Sequence, residues 1–156
     1  MDSSKKIPAQ TKNTLRELID NLIDAQEGLQ KIGESLKDES IKRVLLAESL
    51  ARAEFRGELE NILHQVGVPD VDESGTAVGK LLRSWSGLKL KVGGSDDQLL
   101  EIAEKEEQRA IEAYHQALAR KLPRDVEEVL ATHVQRIVAS HKAIQKAREV
   151  LRQPVR

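Results

Sequence analysis

The chain of 156 residues has the length of one domain with its own hydrophobic core. Charged residues make up 33% and aromatic residues only 2%, a mixture typical of long helices and not of β-sandwiches. The net charge of -1 provides no overall field that favours nucleic acid or an anionic membrane, and we expect no nucleic-acid partner. Cysteine is absent, which excludes disulfides, thiolate metal sites and cysteine nucleophiles.

The polar start of the sequence has no apolar core, and no run of about 18 apolar residues occurs anywhere. The sequence therefore predicts neither a signal peptide nor a membrane span, and we expect a cytoplasmic protein. A single domain is predicted over residues 11–151, with flexible tails at residues 1–10 and 152–156.

A first helix is predicted over about residues 11–37, where apolar side chains recur at spacings of three and four. This seam consists of Leu15, Leu18, Leu22, Ala25, Leu29, Ile32 and Leu36. Thr14 and Glu17 have the spacing of a capping box at its start. By the same count Gln26 faces inward at the edge of the seam, whereas Asp24 falls on the outer side.

A second helix is predicted over about residues 39–66, and the short link at Asp38 makes it an antiparallel neighbour of the first. Its apolar stripe contains Ile41, Leu45, Phe55, Leu59, Ile62 and Val66. Glu48 lies on the same stripe, and Arg52 follows it four residues later. That spacing lets the two side chains meet.

The connection over residues 67–95 is turn-rich at both ends and holds a short amphipathic helix. Its length allows the chain to return along the bundle, so that the third long helix runs parallel to the second. One interpretation is that the apolar face of the short helix packs onto the bundle. The other is a basic interaction surface for a partner helix or a membrane. That surface would consist of Lys80, Arg83, Trp85, Lys89 and Lys91.

A third helix is predicted over residues 96–121, with a capping box formed by Ser95 and Gln98. Pro123 then suits the first position of a fourth helix, which runs to about Leu151. The apolar stripe of the third helix consists of Leu100, Ile111, Tyr114 and Leu118. The stripe of the fourth helix contains Val126, Leu130, Ile137 and Ile144.

Glu104 and Glu107 interrupt the apolar stripe of the third helix. Carboxylates on a buried face are costly unless they are paired, protonated or bound to a cation. Tyr114, on the same stripe, is expected in the core with its hydroxyl hydrogen-bonded. His133 is expected to face Ile111, away from these carboxylates.

Counting residues from the helix turns places five polar side chains at a similar depth in the bundle. They are Gln26, Glu48, Glu104, Glu107 and His141. Two hypotheses stay open for them. In the first, Arg52 neutralises the carboxylates, and the amide and imidazole hydrogen-bond to them in a structural network. In the second, Glu48, Glu104, Glu107 and His141 are ligands of iron or manganese, which carboxylate and imidazole groups suit.

The chain resembles a bacterial family of ferritin-like bundles that is known only as a domain of unknown function. The resemblance covers about residues 14–151. Its residues are Leu15, Leu18, Ile19, Asp24, Gly28, Arg52, Phe55, Glu58, Leu59, Arg83, Trp85, Leu88, Lys89, Glu104, Glu107, Tyr114, Ala117, Leu118, His141 and Ile144. It implies a ferritin-like fold with a helical crossover, a bacterial cytoplasmic setting and self-association, but no assigned activity. It also implies that the position of Gln26 is often acidic in the family.

We therefore predict an all-α, ferritin-like four-helix bundle, made of two antiparallel helical hairpins joined by a long crossover that contains a short helix. We expect a homodimer. The leading function hypothesis is an uncharacterised bundle protein, non-enzymatic or stress-related, whose polar layer is structural or binds one metal ion weakly. The alternative is a non-haem iron or manganese protein with oxidase or peroxide chemistry. A third hypothesis is an interaction module that uses the basic crossover helix.

Overall fold

A computed structural model describes residues 6–68 and 94–153 of the chain. These residues form four α-helices: α1 (Ala9–Ser35), α2 (Glu39–Gln65), α3 (Asp96–Leu118) and α4 (Arg124–Arg152). The all-α prediction is confirmed, and each helix begins and ends within three residues of its predicted bounds. No helix in the described ranges is long and apolar enough to cross a bilayer.

Two of the helix starts have side-chain caps, and the one at α3 is the predicted capping box. The Asp38 side chain accepts a hydrogen bond from the backbone N–H of Ile41 (3.0 Å) and so caps α2. At α3, the Ser95 hydroxyl accepts from the Gln98 N–H (3.2 Å), and the Gln98 side chain accepts from the Ser95 N–H (3.1 Å). This reciprocal pair is a capping box, which satisfies two N–H groups that the helix itself leaves unpaired.

The capping box predicted at Thr14 is wrong, because α1 begins five residues earlier, directly after Pro8. Proline has a fixed φ that suits the entry to a helix and no N–H that needs a partner. Thr14 lies inside the helix, and its hydroxyl donates to the backbone carbonyl of Gln10 (3.0 Å).

The order of packing places α2 and α3 diagonally across the bundle. Helix α1 packs against α2 and α3, and α4 packs against α3 and, more loosely, against α2. The Asp96 carboxylate accepts hydrogen bonds from the backbone N–H groups of Lys37 and Asp38, both at 2.9 Å. The starts of α2 and α3 therefore lie at the same end of the bundle, and the two helices run parallel, as the long connection predicted.

The core consists of two apolar clusters stacked along the bundle axis. The larger cluster contains Leu15, Leu18, Ile19, Leu22, Ile23, Ala51, Phe55, Leu59, Leu63, Val68, Ala110, Tyr114, Ala117, Val126, Leu130, Val134 and Ile137. The smaller cluster contains Leu29, Ile32, Leu36, Leu45, Leu99, Leu100, Ala103 and Ile144. On every helix the two clusters are separated at the depth that the sequence predicted for the polar side chains. The buried polar residues at this depth position the candidate site.

Candidate functional site: the mid-bundle layer

Arg52 on α2 and Glu107 on α3 form an ion pair across the diagonal of the bundle. The Arg52 Nη2 lies 2.9 Å from Glu107 Oε1 and 2.8 Å from Oε2, and both side chains are fully buried. Two ions in a low-dielectric interior are stabilised only by each other, and the loss of one leaves the other uncompensated. Each member of this pair therefore depends on its partner.

Glu48, one turn before Arg52 on α2, is paired with an arginine of α4. Its Oε1 accepts from Nε (3.1 Å) and Nη2 (2.9 Å) of Arg136. The Glu48 side chain is nearly buried, whereas that of Arg136 is about half exposed. Although Arg52 follows Glu48 at helical spacing, it reaches across the core to Glu107 instead. We call Glu48, Arg52, Glu107, Arg136 and Ser140 the mid-bundle layer.

Glu104 belongs to a different ion network, nearer the start of α3. The Nη1 of Arg148 lies 3.3 Å from Glu104 Oε1, and the Nε of Arg148 lies 3.0 Å from Asp97 Oδ1. The hydrogen bond from Arg148 lowers the pKa of the Asp97 carboxyl below its usual value, against the opposing effect of partial burial. Arg152 also binds Asp97, at 3.1 Å.

The other two predicted members of the layer are only partly buried. Gln26 takes part through its backbone carbonyl, which accepts a hydrogen bond from the Ser49 hydroxyl at 2.8 Å. His141 follows Ser140 on α4 and is partly exposed. In the part of the chain that the structure describes, no three or more His, Asp or Glu side chains are placed to hold a metal ion. Binding of iron or manganese by Glu48, Glu104, Glu107 and His141 stays a prediction.

A second polar site, the aromatic cluster, lies farther along the same three helices. It consists of Phe55, Tyr114 and His133, which are buried, and Glu58, whose side chain is 55% exposed. The Tyr114 hydroxyl lies 2.9 Å from His133 Nδ1, and His133 Nε2 lies 3.1 Å from Glu58 Oε2. The Phe55 ring stacks on the imidazole, with centroids 4.0 Å apart and planes 15° apart. Tyr114 is fully buried with its hydroxyl bonded, as predicted. His133 lies away from the carboxylates of the mid-bundle layer, as expected, and contacts Tyr114 and Phe55.

The aromatic cluster favours a neutral imidazole. Burial lowers the pKa of His133, although the hydrogen bond to Glu58 opposes this effect. Burial also raises the pKa of Tyr114, so its hydroxyl stays protonated. A neutral His133 can accept the Tyr114 O–H at Nδ1 and donate its Nε2–H to Glu58. Both ring nitrogens then have suitable partners.

Sequence reasoning missed Arg136 and Ser140 and placed Asp24 on the wrong side of α1. Asp24 is 2% exposed, because α1 packs against both α2 and α3 and so buries a wider face than one seam. Counting residues from the helix turns could have identified Arg136, because it lies about one turn from the level of Glu48 and its long side chain can span that distance. The predicted interaction surface of Lys80, Arg83, Trp85, Lys89 and Lys91 lies outside the described residues.

A family model described as "Domain of unknown function (DUF2383)" matches residues 10–120. The match covers more than half of the chain, and the protein belongs to this family. Both members of the Arg52–Glu107 pair lie within the matched range, whereas Arg136, Ser140 and Arg148 follow it. No curated protein matches the chain.

Proposed function

We propose that this chain is a non-enzymatic, ferritin-like bundle protein in which arginines take the place that metal ions hold in di-iron bundles. Those bundles gather Glu and His side chains from facing helices around two cations in the core. The observation that supports the proposal is the buried pair of Arg52 and Glu107, in which a guanidinium binds both oxygens of the most deeply buried carboxylate.

The same pattern holds for the other two predicted ligand carboxylates. Arg136 binds Glu48, and Arg148 binds Glu104. Arginine stays protonated in proteins, so it supplies a permanent positive charge. A metal ion entering the mid-bundle layer would have to displace a guanidinium or share a carboxylate with it. Both arrangements are unfavourable, because two positive charges would then lie together in a buried site.

The proposed role of the mid-bundle layer is to fix how the helices align. A one-turn slip of α2 along α3 would move Arg52 away from Glu107 and leave two buried ions unpaired. Buried polar groups select one alignment in this way in other helical assemblies, at some cost in stability. The bundle would then act by binding a partner, with the homodimer as the expected assembly and the bacterial cytoplasm as its expected setting.

Elemental analysis tests the proposal. The protein is purified without chelator and measured again after anaerobic loading with Fe²⁺ or Mn²⁺. The variants are Glu107→Ala and a matched control, Glu112→Ala, an exposed glutamate on the same helix. We expect far less than one bound metal ion per chain in all three proteins.

About one or two ions per chain, as in mononuclear and dinuclear bundle sites, would overturn the proposal if they were lost in Glu107→Ala and kept in Glu112→Ala. That outcome would support the iron or manganese protein with oxidase or peroxide chemistry. If Glu107→Ala fails to fold, the metal content of the loaded wild-type protein is the test. One bound ion per wild-type chain is sufficient to contradict the proposal.

A further inference from the structure

The mid-bundle layer contains buried polar atoms that the protein does not satisfy. Glu48 Oε2, Arg52 Nε, Arg52 Nη1 and Ser140 Oγ have no hydrogen-bond partner. All three residues are more than nine-tenths buried. The only other such side-chain atom in the described residues is Thr11 Oγ1, near the start of α1.

These atoms converge at one level of the bundle. Phe55 stacks on His133, which aligns α2 with the antiparallel α4 at that point. Glu48 lies seven residues, or two helical turns, before Phe55 on α2. Ser140 lies seven residues after His133 on α4. The two therefore lie opposite each other, on the faces that carry the aromatic pair.

The third helix gives the same alignment. Tyr114 bonds to His133, and Glu107 lies seven residues before Tyr114. Glu107 is therefore level with Ser140, and Arg52 is bonded to Glu107. Polar groups from α2, α3 and α4 therefore meet at one level, between the two apolar clusters that lie above and below it along the bundle axis.

The energetic cost of these atoms is too large for them to stay unsatisfied. A buried donor or acceptor without a partner costs about 1–3 kcal/mol. Four such atoms would cost roughly 4–12 kcal/mol, a large part of the 5–15 kcal/mol that typically stabilises a domain. A molecule that bonds to three of the four atoms would remove most of this cost.

The chemistry of the atoms defines that molecule. The two Arg52 nitrogens donate and need an acceptor, the Glu48 oxygen accepts and needs a donor, and the Ser140 hydroxyl can do either. The ion pairs Arg52–Glu107 and Glu48–Arg136 sum to zero charge. An anion would therefore meet two carboxylates, and a cation would meet two guanidinium groups.

We propose that the mid-bundle layer binds structural water, held between Glu48 Oε2, an Arg52 N–H group and Ser140 Oγ. Water is neutral, both donates and accepts, and typically makes about three hydrogen bonds when buried among polar groups. This inference rests on the proposed function in one respect, since it assigns the layer to water and not to a metal ion. We expect such water to exchange at the boundary of α2 and α4, where the Arg136 side chain is half exposed.

A crystal structure at a resolution that shows ordered water, with anomalous data at the iron and manganese edges, tests this inference. We expect a peak without anomalous signal, about 2.7–3.2 Å from Glu48 Oε2, Ser140 Oγ and an Arg52 nitrogen. If these atoms instead bonded to other protein groups around an empty layer, the inference would fail and the proposed function would stand. An anomalous peak there would overturn both.

Oxygen-17 magnetic relaxation dispersion gives a second test in solution, because it detects water molecules that stay bound longer than the protein tumbles. We expect at least one long-lived water molecule in the wild type and fewer in Ser140→Val, because valine removes the hydroxyl and places a methyl group in the layer. Ser35→Ala is the control, because the Ser35 hydroxyl is exposed and bonded to the Lys31 carbonyl. A wild-type protein without long-lived water would overturn the inference, whether or not Ser140→Val folds.

Discussion

The mid-bundle layer and the aromatic cluster lie two turns apart on the same three helices, yet they bury polar groups in opposite ways. In the aromatic cluster, Tyr114 and Glu58 satisfy both nitrogens of His133 without a charge on the imidazole. In the mid-bundle layer, full charges are paired and four polar atoms remain without a protein partner. The aromatic cluster therefore satisfies its buried imidazole with protein groups alone, whereas the mid-bundle layer does not satisfy all of its polar atoms in this way.

The difference follows from the side chains. A neutral imidazole has one donor and one acceptor, which two neighbours can satisfy. A guanidinium has five N–H donors and cannot lose its charge. Glu107 directs both oxygens to a single nitrogen of Arg52, so the other two nitrogens need partners from elsewhere. The proposed structural water would supply a partner to one of these nitrogens.

The largest expected effect is that of Glu107→Leu, which leaves Arg52 as an unpaired buried ion. We expect a loss of about 3–5 kcal/mol in the free energy of unfolding, measured by urea denaturation. Glu112→Leu is the matched control on the exposed side of α3 and should leave the midpoint nearly unchanged. A Glu107→Leu variant as stable as the control would show that the layer is not an essential ion pair.

Tyr114→Phe tests the aromatic cluster and should have a smaller effect. The ring stays in the core, but Nδ1 of His133 loses its hydrogen-bond donor. A buried acceptor left in this way costs about 1–3 kcal/mol, which the same denaturation experiment measures. A loss as large as that of Glu107→Leu would contradict the contrast between a charged and a neutral site.

The pH dependence of stability separates the two sites further. Because burial lowers the pKa of His133, the folded protein binds a proton less readily than the unfolded chain, whose histidine has its ordinary pKa of 6.5. The contribution of His133 is therefore fully present above pH 6.5 and is lost as the pH falls toward the folded pKa. Between the folded pKa and pH 6.5, the free energy of unfolding should fall by at most about 1.4 kcal/mol for each pH unit that is lost.

Urea denaturation at about pH 7.5 and about pH 5.5 measures this slope. The variant His133→Gln lacks the titrating group and should show a smaller difference between the two conditions than the wild type. Equal differences in the two proteins would mean that His133 takes up its proton as easily when folded as when unfolded.

The smallest effect is expected for Arg124→Ala. Arg124 and Glu128 form the same type of ion pair as Arg52 and Glu107, but both side chains are mostly exposed. Water and salt screen such a pair, so the denaturation midpoint should not change measurably. A clear loss would show that the pairing of charges, and not their burial, determines the strength of the mid-bundle layer.

The sequence predicted the helices and the depth of the polar layer well, because both depend on regular spacing. The apolar stripes defined each helix, and Glu48 and Glu107 interrupted them at the depth where the two apolar clusters separate. The assignment of partners could not be predicted in the same way. Arg52 is long enough to reach either Glu48 or Glu107, and only the diagonal position of α3 decides between them.

One error, on Asp24, and one omission, the contacts of His133, have the same origin. Asp24 is buried because α1 contacts two neighbours, a fact that the periodicity of one helix does not contain. His133 contacts both Phe55 of α2 and Tyr114 of α3, a pairing that the periodicity of α4 alone does not define. In both cases the missing information concerned the relation between helices, which residue spacing defines only to within about one turn.

A double-mutant cycle on Arg52 and Glu107 tests most directly the claim that an arginine, and not a metal ion, holds the buried carboxylate. The variants are Arg52→Met, Glu107→Leu and the double substitution, with stability measured by urea denaturation without added metal. We predict that each single substitution costs about 3–5 kcal/mol, while the double variant loses much less than the sum, as reported for buried ion pairs replaced by apolar residues. If the loss in the double variant equals the sum of the two single losses to within about 0.5 kcal/mol, the account is contradicted. Glu107 would then depend on a cation other than Arg52.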